Sequence, residues 1–363
     1  MEDFDVVVAG AGPAGSAAAR FASEGGARTL LLEKRDIVGV PFECGEFLPS
    51  PSTLREIMPD AEDVEGLFDI PASCISRMLS KMAVVSPAGK RYVLDFDGLS
   101  LYREKYDQHL AGLAEKAGAV LRVRTRVSGV KGDVVETDAG PVRARVVVGA
   151  DGPLSTVRRS AMMSGPRLQC PCLQYTVPGD FGDTVEMYFG RVAPGGYAWV
   201  IPKKDGGNIG LGLPPMKKGR TLRERLDSFM AERGVSAKPS LETSGIVPAS
   251  GPVRETVSGN VLLVGDAAGQ VMASNGGGIP IAVVCGRAAG RAAAAFVKGK
   301  GPLSDYERMW RTEVGEVLVN SLHTKNLADW WMWSDALVGL AMLLIGEGGI
   351  RKALTCKKIL GFY

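Results

Sequence analysis

Three closely spaced glycines near the N-terminus constrain the fold of this chain more than any other feature. The hexapeptide Gly10-Ala11-Gly12-Pro13-Ala14-Gly15 follows an apolar run at 4–9 and precedes a stretch of small residues at 13–23. Between a buried strand and a helix, the first glycine makes the turn, the second leaves room for a pyrophosphate, and the third lets helix and strand pack closely. Glu33 ends the next apolar run, at about the 20-residue spacing that places a carboxylate on an adenosine ribose. The pattern predicts a dinucleotide-binding β-α-β unit.

The rest of the chain divides into a sheet-rich segment and a return to the first pattern. With 363 residues, the chain is longer than one ordinary domain needs. Residues 120–130, 133–137 and 142–148 are predicted to form a small β-meander. Short β-like runs broken by Gly and Pro extend over 167–248, and from Val261 a buried-strand pattern leads into an Ala-rich helix at 281–297. The first domain is therefore predicted to be completed by sequence on both sides of the second.

Charge and cysteine content argue against several classes of protein. The 43 Lys and Arg residues against 40 Asp and Glu leave a net charge of +3, and no strong basic cluster points to nucleic acid. Six cysteines without a CxxC pair and two histidines offer little for a metal site, so we expect no metal and reduced thiols in a cytoplasmic protein. We find no secretory leader, and the apolar stretch at 336–345 is long enough to lie on a membrane but too short to cross one.

Two further motifs indicate which dinucleotide is bound. They are Val148-Gly149-Ala150-Asp151-Gly152 with Ser155 and Arg158, and Val264-Gly265-Asp266-Ala267-Ala268-Gly269. Both resemble the second and third fingerprints of the glutathione-reductase-like flavoprotein superfamily, which implies FAD as the cofactor. Asp266, at the end of a buried strand, suits a ribitol hydroxyl, and Gly276-Gly277-Gly278 with Pro280 opens a helix whose positive end would face the flavin.

Two segments narrow the resemblance to the geranylgeranyl reductase family. Pro41-Phe42-Glu43-Cys44-Gly45-Glu46 is similar to the family's Cys-Gly-Glu loop beside the flavin. Residues 194–202 resemble its substrate-site motif PxxYxWxFP, except that Ile201 stands where Phe is usual, a departure that bears on chain-length preference. The resemblance covers about residues 1–300.

The resemblance implies an α/β fold, in which a glutathione-reductase-like FAD-binding Rossmann domain is interleaved with a sheet-rich, p-hydroxybenzoate-hydroxylase-like substrate domain. We expect 1–70, 100–165 and 255–300 to form the FAD-binding domain, 71–99 and 166–254 the substrate domain, and 301–363 a helical C-terminal region. In family members an Arg at the place of Arg103 contacts FAD, and backbone at the place of Val127 holds the adenine. A solvated arginine and an apolar core residue are the alternatives. The predicted cofactor-binding set is Gly10, Gly12, Ala14, Gly15, Glu33, Cys44, Gly45, Phe47, Arg103, Val127, Asp266, Gly277, Gly278 and Ile279.

Three residues are predicted to take part in the reaction itself. Tyr197 and Trp199 alternate on one face of a strand, where their large apolar rings can wall a slot for an isoprenoid chain or simply belong to the core. Cys44, in a Gly-flanked loop, is either a buried inert thiol or a group near the reacting alkene. We favour the second interpretation and predict Cys44, Tyr197 and Trp199 as catalytic residues.

The resemblance implies FAD-dependent reduction of carbon-carbon double bonds in the geranylgeranyl chains of prenylated membrane lipids or their precursors. An isolated alkene is a poor hydride acceptor, so we expect an apolar tunnel that positions it and excludes water. One alternative is a flavin-dependent monooxygenase or halogenase, because 197–202 also resembles the halogenase WxWxIP run without its first Trp. A non-catalytic isoprenoid-binding flavoprotein is another. The single nucleotide fingerprint, used by FAD, favours a small electron carrier such as ferredoxin over NADPH as the electron donor.

The C-terminal region predicts peripheral contact with the inner face of the cell membrane. Tryptophans and aliphatic residues are followed there by cations, a composition typical of the lipid interface. A buried helix or a dimer contact is the alternative. The residues concerned are Trp330, Trp331, Trp333, Leu337, Leu340, Met342, Leu343, Leu344, Ile345, Arg351, Lys352, Lys357 and Lys358.

Overall fold

The computed structural model describes residues 1–216 and 218–359, which form two sheets with flanking helices. In these residues the strands are β1 (Glu2–Ala9), β2 (Thr29–Leu32), β3 (Phe47–Pro49), β4 (Ile75–Val85), β5 (Arg91–Leu101), β6 (Val120–Arg122), β7 (Val127–Lys131), β8 (Val134–Thr137), β9 (Val142–Gly149), β10 (Gln169–Pro178), β11 (Thr184–Tyr188), β12 (Tyr197–Lys203), β13 (Gly206–Gly212), β14 (Leu241–Pro248), β15 (Val257–Ser258) and β16 (Val261–Leu263). The helices are α1 (Pro13–Glu24), α2 (Pro51–Ile57), α3 (Val64–Leu67), α4 (Arg103–Lys116), α5 (Thr156–Ser160), α6 (Leu222–Glu232), α7 (Ile279–Val297), α8 (Asp305–Ala328) and α9 (Asp335–Leu354).

The first sheet is the predicted nucleotide-binding layer. Its strand order is β15-β16-β9-β1-β2-β6, and β1 pairs in parallel with both β2 and β9. Strand β16 pairs in parallel with β9, so the sheet is completed by sequence that follows the second domain, as predicted. Because the carboxyl ends of these parallel strands lie at one edge, the three fingerprints meet there.

One strand prediction was wrong. The run 120–130 was interpreted as one strand of a small β-meander, but it is divided between β6, which pairs in parallel with β2, and β7 of the meander. The extended conformation is interrupted between β6 and β7 because Arg124 adopts a left-handed conformation, with φ at 52°. The backbone there hydrogen bonds to the segment after β2 instead, through Arg124 N–H to Arg35 O at 3.0 Å and Thr125 N–H to Glu33 O at 2.8 Å.

Helices α1 and α7 pack against each other unusually closely on the first sheet. A Cβ added at Gly286 would lie 2.3 Å from the carbonyl oxygen of Ala14, and one at Gly290 would lie 2.4 Å from that of Ala18. This close approach explains the small-residue composition of both helices. By length and composition, helix α7 could cross a membrane. However, 83% of its apolar 18-residue stretch is buried inside the protein. It is a core helix.

The second sheet has the order β14-β10-β13-β12-β11-β4-β5-β3 and is antiparallel except where β11 joins β4. One of its faces packs on α6, where Val200 of β12 shares a buried cluster with Phe229. The other face is turned toward the first sheet. Strand β3 lies in this sheet although its residues fall within the 1–70 segment expected to belong to the FAD-binding domain. Segments 71–99 and 166–254 supply β4, most of β5 and β10 to β14 of this sheet.

The C-terminal region is helical, as predicted, over the residues that the structure describes; 360–363 of the predicted region lie outside them. Helix α9 is interrupted at Gly346, which has φ 58° and ψ −169°. Arg351 near its end donates hydrogen bonds to Asp95 O at 2.7 Å and to Glu56 at 2.6 Å. These contacts attach α9 to the outer edge of the second sheet.

Candidate active site

The glycine-rich loop has the geometry that a pyrophosphate needs. Gly10 has φ at 99°, and a Cβ on Gly15 would lie 1.8 Å from the carbonyl oxygen of Gly10, so both positions require glycine. By contrast, no heavy atom lies within 4 Å of a Cβ placed on Gly12, which leaves the N-terminus of α1 open. The Glu33 carboxylate accepts hydrogen bonds from Ala11 N–H and Arg35 N–H, each at 3.0 Å. It therefore lies at the loop, where a ribose would be held.

The second and third fingerprints are joined to each other. Asp151 caps α5 by accepting hydrogen bonds from Ser155 Oγ at 2.5 Å and Thr156 N–H at 2.6 Å. Arg158, on the same helix, donates to the carbonyl oxygen of Ala267 at 2.9 Å. The buried arginine thus fixes the third fingerprint against the second.

Asp266 and Arg103 line the same cavity, and both come from segments predicted to form the FAD-binding domain. Burial raises the pKa of Asp266 to about 6, against the lowering influence of Arg103, so the carboxylate is mostly ionised at neutral pH and could accept a hydrogen bond from a ligand hydroxyl. Arg103 forms a buried ion pair with Asp107, with Nη2 lying 2.9 and 3.0 Å from the two carboxylate oxygens. Burial opposes ionisation of Arg103, but Asp107 and Cys44 outweigh it and raise the pKa of the guanidinium. Arg103 is therefore a fixed cation and not a solvated surface residue.

The cavity has a volume of about 390 Å³ and lies between the two sheets. Its polar end is formed by the glycine-rich loop, Asp266, Arg103 and the Gly277-Gly278 start of α7. Its other end is apolar. The apolar residues are Ile57, Met82, Phe96, Val185, Met187 and Ile201.

Most of the predicted site residues lie at this cavity. It is lined by Gly12, Ala14, Cys44, Gly45, Phe47, Arg103, Tyr197, Trp199, Asp266, Gly277, Gly278 and Ile279. Gly10, Gly15 and Glu33 form the loop behind it. Val127 does not line the cavity; it starts β7, two residues after the Thr125 that hydrogen bonds to Glu33, and its role toward adenine stays a prediction.

The aromatic stripe of β12 forms one wall. Tyr197, Trp199 and Ile201 point into the cavity from alternate positions, with the two rings 5.9 Å apart. Tyr197 donates its hydroxyl hydrogen to the carbonyl oxygen of Asn275, beside the glycines that precede α7, and burial raises the pKa of Tyr197 well above its usual value. The phenol therefore stays neutral. Trp199 donates Nε1–H to Asn208 at 2.8 Å, so its ring orientation is fixed.

Cys44 lies in the loop that crosses over this stripe. Its thiol is half-buried, lines the cavity, and accepts a hydrogen bond from Glu46 N–H at 3.1 Å. A Cβ on the adjacent Gly45 would lie 3.1 Å from Cδ1 of Ile201, so the loop rests directly on the stripe. Cys44 is thus placed between the polar end and the apolar end of the cavity.

Several residues of the site were missed by sequence reasoning. Cys172, Gln174 and Thr243 also line the cavity. Burial raises the pKa of Cys172 to about 12. The available signal was the glycine pair of β13, since Gly210 and Gly212 face Trp199 and Cys172 and leave room for both side chains.

Comparisons with known proteins agree with this geometry. The profile of the geranylgeranyl reductase catalytic domain matches residues 170–247, which contain the aromatic stripe, and that of FAD-dependent oxidoreductases matches 5–39. The digeranylgeranylglycerophospholipid reductase of Methanocaldococcus jannaschii is 34% identical, over 98% of this chain and 95% of its own length. The chain belongs to the geranylgeranyl reductase family. It is an oxidoreductase, and its cofactor is FAD.

Solved structures support the same assignment. A geranylgeranyl bacteriochlorophyll reductase-like protein from Thermoplasma acidophilum superimposes with a TM-score of 0.83 at 29% identity, covering 94% of this chain and 91% of that one. A probable FAD-dependent monooxygenase from Pseudomonas aeruginosa superimposes with a TM-score of 0.70 at 17% identity, covering 94% of this chain and 100% of that one. The second likeness is one of fold alone.

Proposed function

We propose that this family member saturates carbon-carbon double bonds in the geranylgeranyl chains of archaeal-type glycerophospholipids or their precursors. The observation that carries the proposal is the cavity, whose polar end fits FAD and whose apolar end continues along the aromatic stripe for an alkyl chain. Relatives that match almost the whole chain are digeranylgeranylglycerophospholipid reductases. Aliphatic and aromatic walls with few polar groups suit a long hydrocarbon ligand.

The residues of the cavity position the alkene and exclude water. When bound and reduced by the electron donor, FAD would supply a hydride to one alkene carbon, and a proton from solvent or a nearby side chain would complete the saturation at the other. Trp199 and Ile201 support the chain from the sheet side, while Met187 and Phe96 surround its far end. Cys44 lies at the junction between the two ends, where its thiol would touch the reacting carbons. A water-excluding site of this kind is what an unactivated alkene needs.

The test uses enzyme that is reduced anaerobically by light and mixed with geranylgeranylglycerol lipids. We expect product masses to rise in two-dalton steps. No mass gain with any of several such lipids would contradict the proposal. Oxygen consumption coupled to NADPH, with an oxygenated or halogenated product, would favour the monooxygenase alternative, and lipid binding without turnover would favour the non-catalytic one.

For the electron donor, we propose a small one-electron carrier of the ferredoxin type. The support is the sequence, in which one dinucleotide fingerprint is present and is used by FAD. Stopped-flow mixing of oxidised enzyme with reduced ferredoxin, and separately with NADPH, compares the two donors. Fast flavin reduction by NADPH would overturn the preference.

We further propose a cytoplasmic protein that touches the inner face of the membrane through α9. Four leucines on its outer side are about half to three-quarters exposed: Leu337 at 47%, Leu340 at 51%, Leu343 at 59% and Leu344 at 76%. Trp330 and Trp333 of the predicted surface are exposed as well, whereas Met342 is buried and Arg351 and Lys357 pair with Glu56. An exposed leucine row on a helix that covers a lipid cavity supports the interface reading.

Because Leu354 at the end of α9 lines the cavity, point variants test this better than removal of the tail. The double variant Leu340→Ser/Leu344→Ser is expected to sediment less with anionic liposomes than the wild type. Leu154→Ser is the matched control, since Leu154 is 57% exposed just before α5. Equal sedimentation of all three proteins would contradict the membrane role of α9.

A further inference from the structure

We propose that Glu46, Lys203 and Asn208 form a positioning unit that fixes the Cys44 loop and the Trp199 ring at the reaction site. Lys203 and Asn208 lie on the adjacent strands β12 and β13, and they meet Glu46, which is distant in sequence, beneath the loop. Glu46 also lines the cavity, whereas Lys203 and Asn208 do not. The inference rests on the proposed reduction of isoprenoid chains for its consequence, but not for its geometry.

Lys203 is the fourth member of the β12 stripe. Tyr197, Trp199 and Ile201 point to the cavity side, and Lys203 follows them at the next alternate position, where an apolar residue would continue the pattern. Its side chain is only 10% exposed. A buried lysine is costly unless its donors are satisfied. Here Nζ donates to Glu46 Oε1 at 2.5 Å and to Leu101 O at 2.9 Å.

Lys203 contacts the Cys44 loop at both of its ends. At one end it pairs with Glu46, whose side chain is fully buried. At the other, Nζ lies 5.8 Å from the ring centre of Phe42, with Tyr102 completing an aromatic surround at 5.3 Å. Cys44 lies between these two contacts, so a single ammonium group restrains the loop on either side of the thiol.

Asn208 links the ion pair to the two side chains at the site. It lies opposite Ile201 on β13 and is fully buried. Its Nδ2 donates to Glu46 Oε2 at 3.0 Å and to the carbonyl oxygen of Cys44 at 3.2 Å, while its Oδ1 accepts from Trp199 Nε1 at 2.8 Å. All of its bonds therefore join the loop to the indole.

The backbone of Glu46 shows why the loop needs such restraint. Glu46 has φ at 67°, a conformation that residues with a Cβ seldom adopt. That conformation directs its N–H to the sulfur of Cys44 at 3.1 Å, while its carbonyl oxygen accepts from Leu101 N–H at 2.8 Å. Strained residues persist only where surrounding contacts hold them. Since a buried ion pair adds little net stability compared with apolar packing, its role here is to select one loop conformation.

The experiment measures alkylation of Cys44 in the oxidised, FAD-loaded enzyme, with the modified peptide quantified by mass spectrometry. In Lys203→Met we expect the rate at Cys44 to rise by about tenfold, because accessibility limits the reaction of a held thiol. FAD content is expected to stay the same. Lys203→Arg keeps the positive charge, and its Cys44 alkylation rate is expected to stay closer to that of the wild type.

Arg287→Met is the matched control. Arg287 and Glu313 form another buried ion pair, with side chains 1% and 7% exposed, which lies outside the cavity lining. This variant loses a buried cation in the same way, but the Cys44 rate should be unchanged. If Lys203→Met has the wild-type rate, or if Arg287→Met raises the rate equally, the positioning role is wrong.

If Lys203→Met fails to fold, the double variant Lys203→Met/Glu46→Gln takes its place in the alkylation assay. This double variant removes both charges of the ion pair together. With geranylgeranylglycerol lipids, either variant is expected to shift the products toward fewer saturated bonds, as a displaced thiol and indole would cause. If wild-type enzyme reduces no such lipid, the proposed function fails while the alkylation result still decides the positioning role. An unchanged alkylation rate with changed products would also overturn it.

Discussion

Gly210→Ala is predicted to misplace the cavity wall without removing any functional group. The added Cβ would lie 2.3 Å from Cζ2 of Trp199 and 2.8 Å from Cβ of Gln174. Carbon atoms in contact need about 3.5 Å, so the indole must move by about 1 Å. Strand β13 is paired on both sides, with β12 and β10, and cannot retreat. The ring therefore moves into the cavity.

The structure also gives the size of the effect. Overpacking of this kind costs about 1–3 kcal/mol, which in a chain of this length lowers the Tm by about 1–4 °C. A shift of about 1 Å in a positioning group lowers the rate of the chemical step by up to about 10²-fold. The assay measures lipid reduction by mass spectrometry, the Tm by thermal melting, and the FAD content. The FAD content should not change.

Gly207→Ala on the same strand is the control. Its Cβ would lie 2.7 Å from Cδ2 of Phe181, a similar collision on the opposite face of the sheet. We expect a comparable fall in Tm and wild-type reduction of the lipid. The reasoning is refuted if Gly210→Ala reduces the lipid at the wild-type rate, or if both variants lose activity to the same extent.

Two further predictions concern Cys44 and Asp266. Cys44→Ser should change the turnover or the degree of saturation at nearly constant FAD content; an unchanged rate and product profile, with only a shifted Tm, would leave Cys44 as a core residue. Burial raises the pKa of Asp266 to about 6 from its ordinary value of 3.8, so the folded apoprotein binds the proton more tightly than the unfolded chain and loses stability as the pH rises between these two values. Asp266→Asn should therefore match the wild-type apoprotein near pH 4 in urea unfolding and exceed it at pH 8, by on the order of 2–3 kcal/mol; an equal difference at both pH values would contradict the assignment.

The predicted residues that the structure places at the cavity, or in the loop behind it, are those whose signal is local. Gly10, Gly12 and Gly15 are recognisable because one turn imposes three different steric demands within six positions. Tyr197 and Trp199 are recognisable because alternation along one strand places them on one face. In both cases the residues that define the geometry are neighbours in the chain.

The residues that were missed depend on contacts between distant segments. Glu46 bonds to partners 157 and 162 positions away, and nothing around Asn208 indicates that it will face Cys44. Strand register decides such contacts, and register follows from the whole sheet and not from a motif. The break between β6 and β7 was missed for the same reason, because Arg124 bonds to a segment almost 90 residues earlier.

The interleaved order of the strands in the first sheet also governs when this protein can fold during synthesis. Strand β1 is made first, but its neighbour β9 begins at Val142, and β16, which completes that side, begins only at Val261. Pairings so distant in sequence form slowly, and the exposed strand edges must wait for the ribosome to deliver their partners. The cofactor pocket also needs α7, which starts at Ile279. Flavin can therefore bind only after α7 has been synthesised. The N-terminal fingerprint is translated long before that helix and must wait for it before it can hold the cofactor.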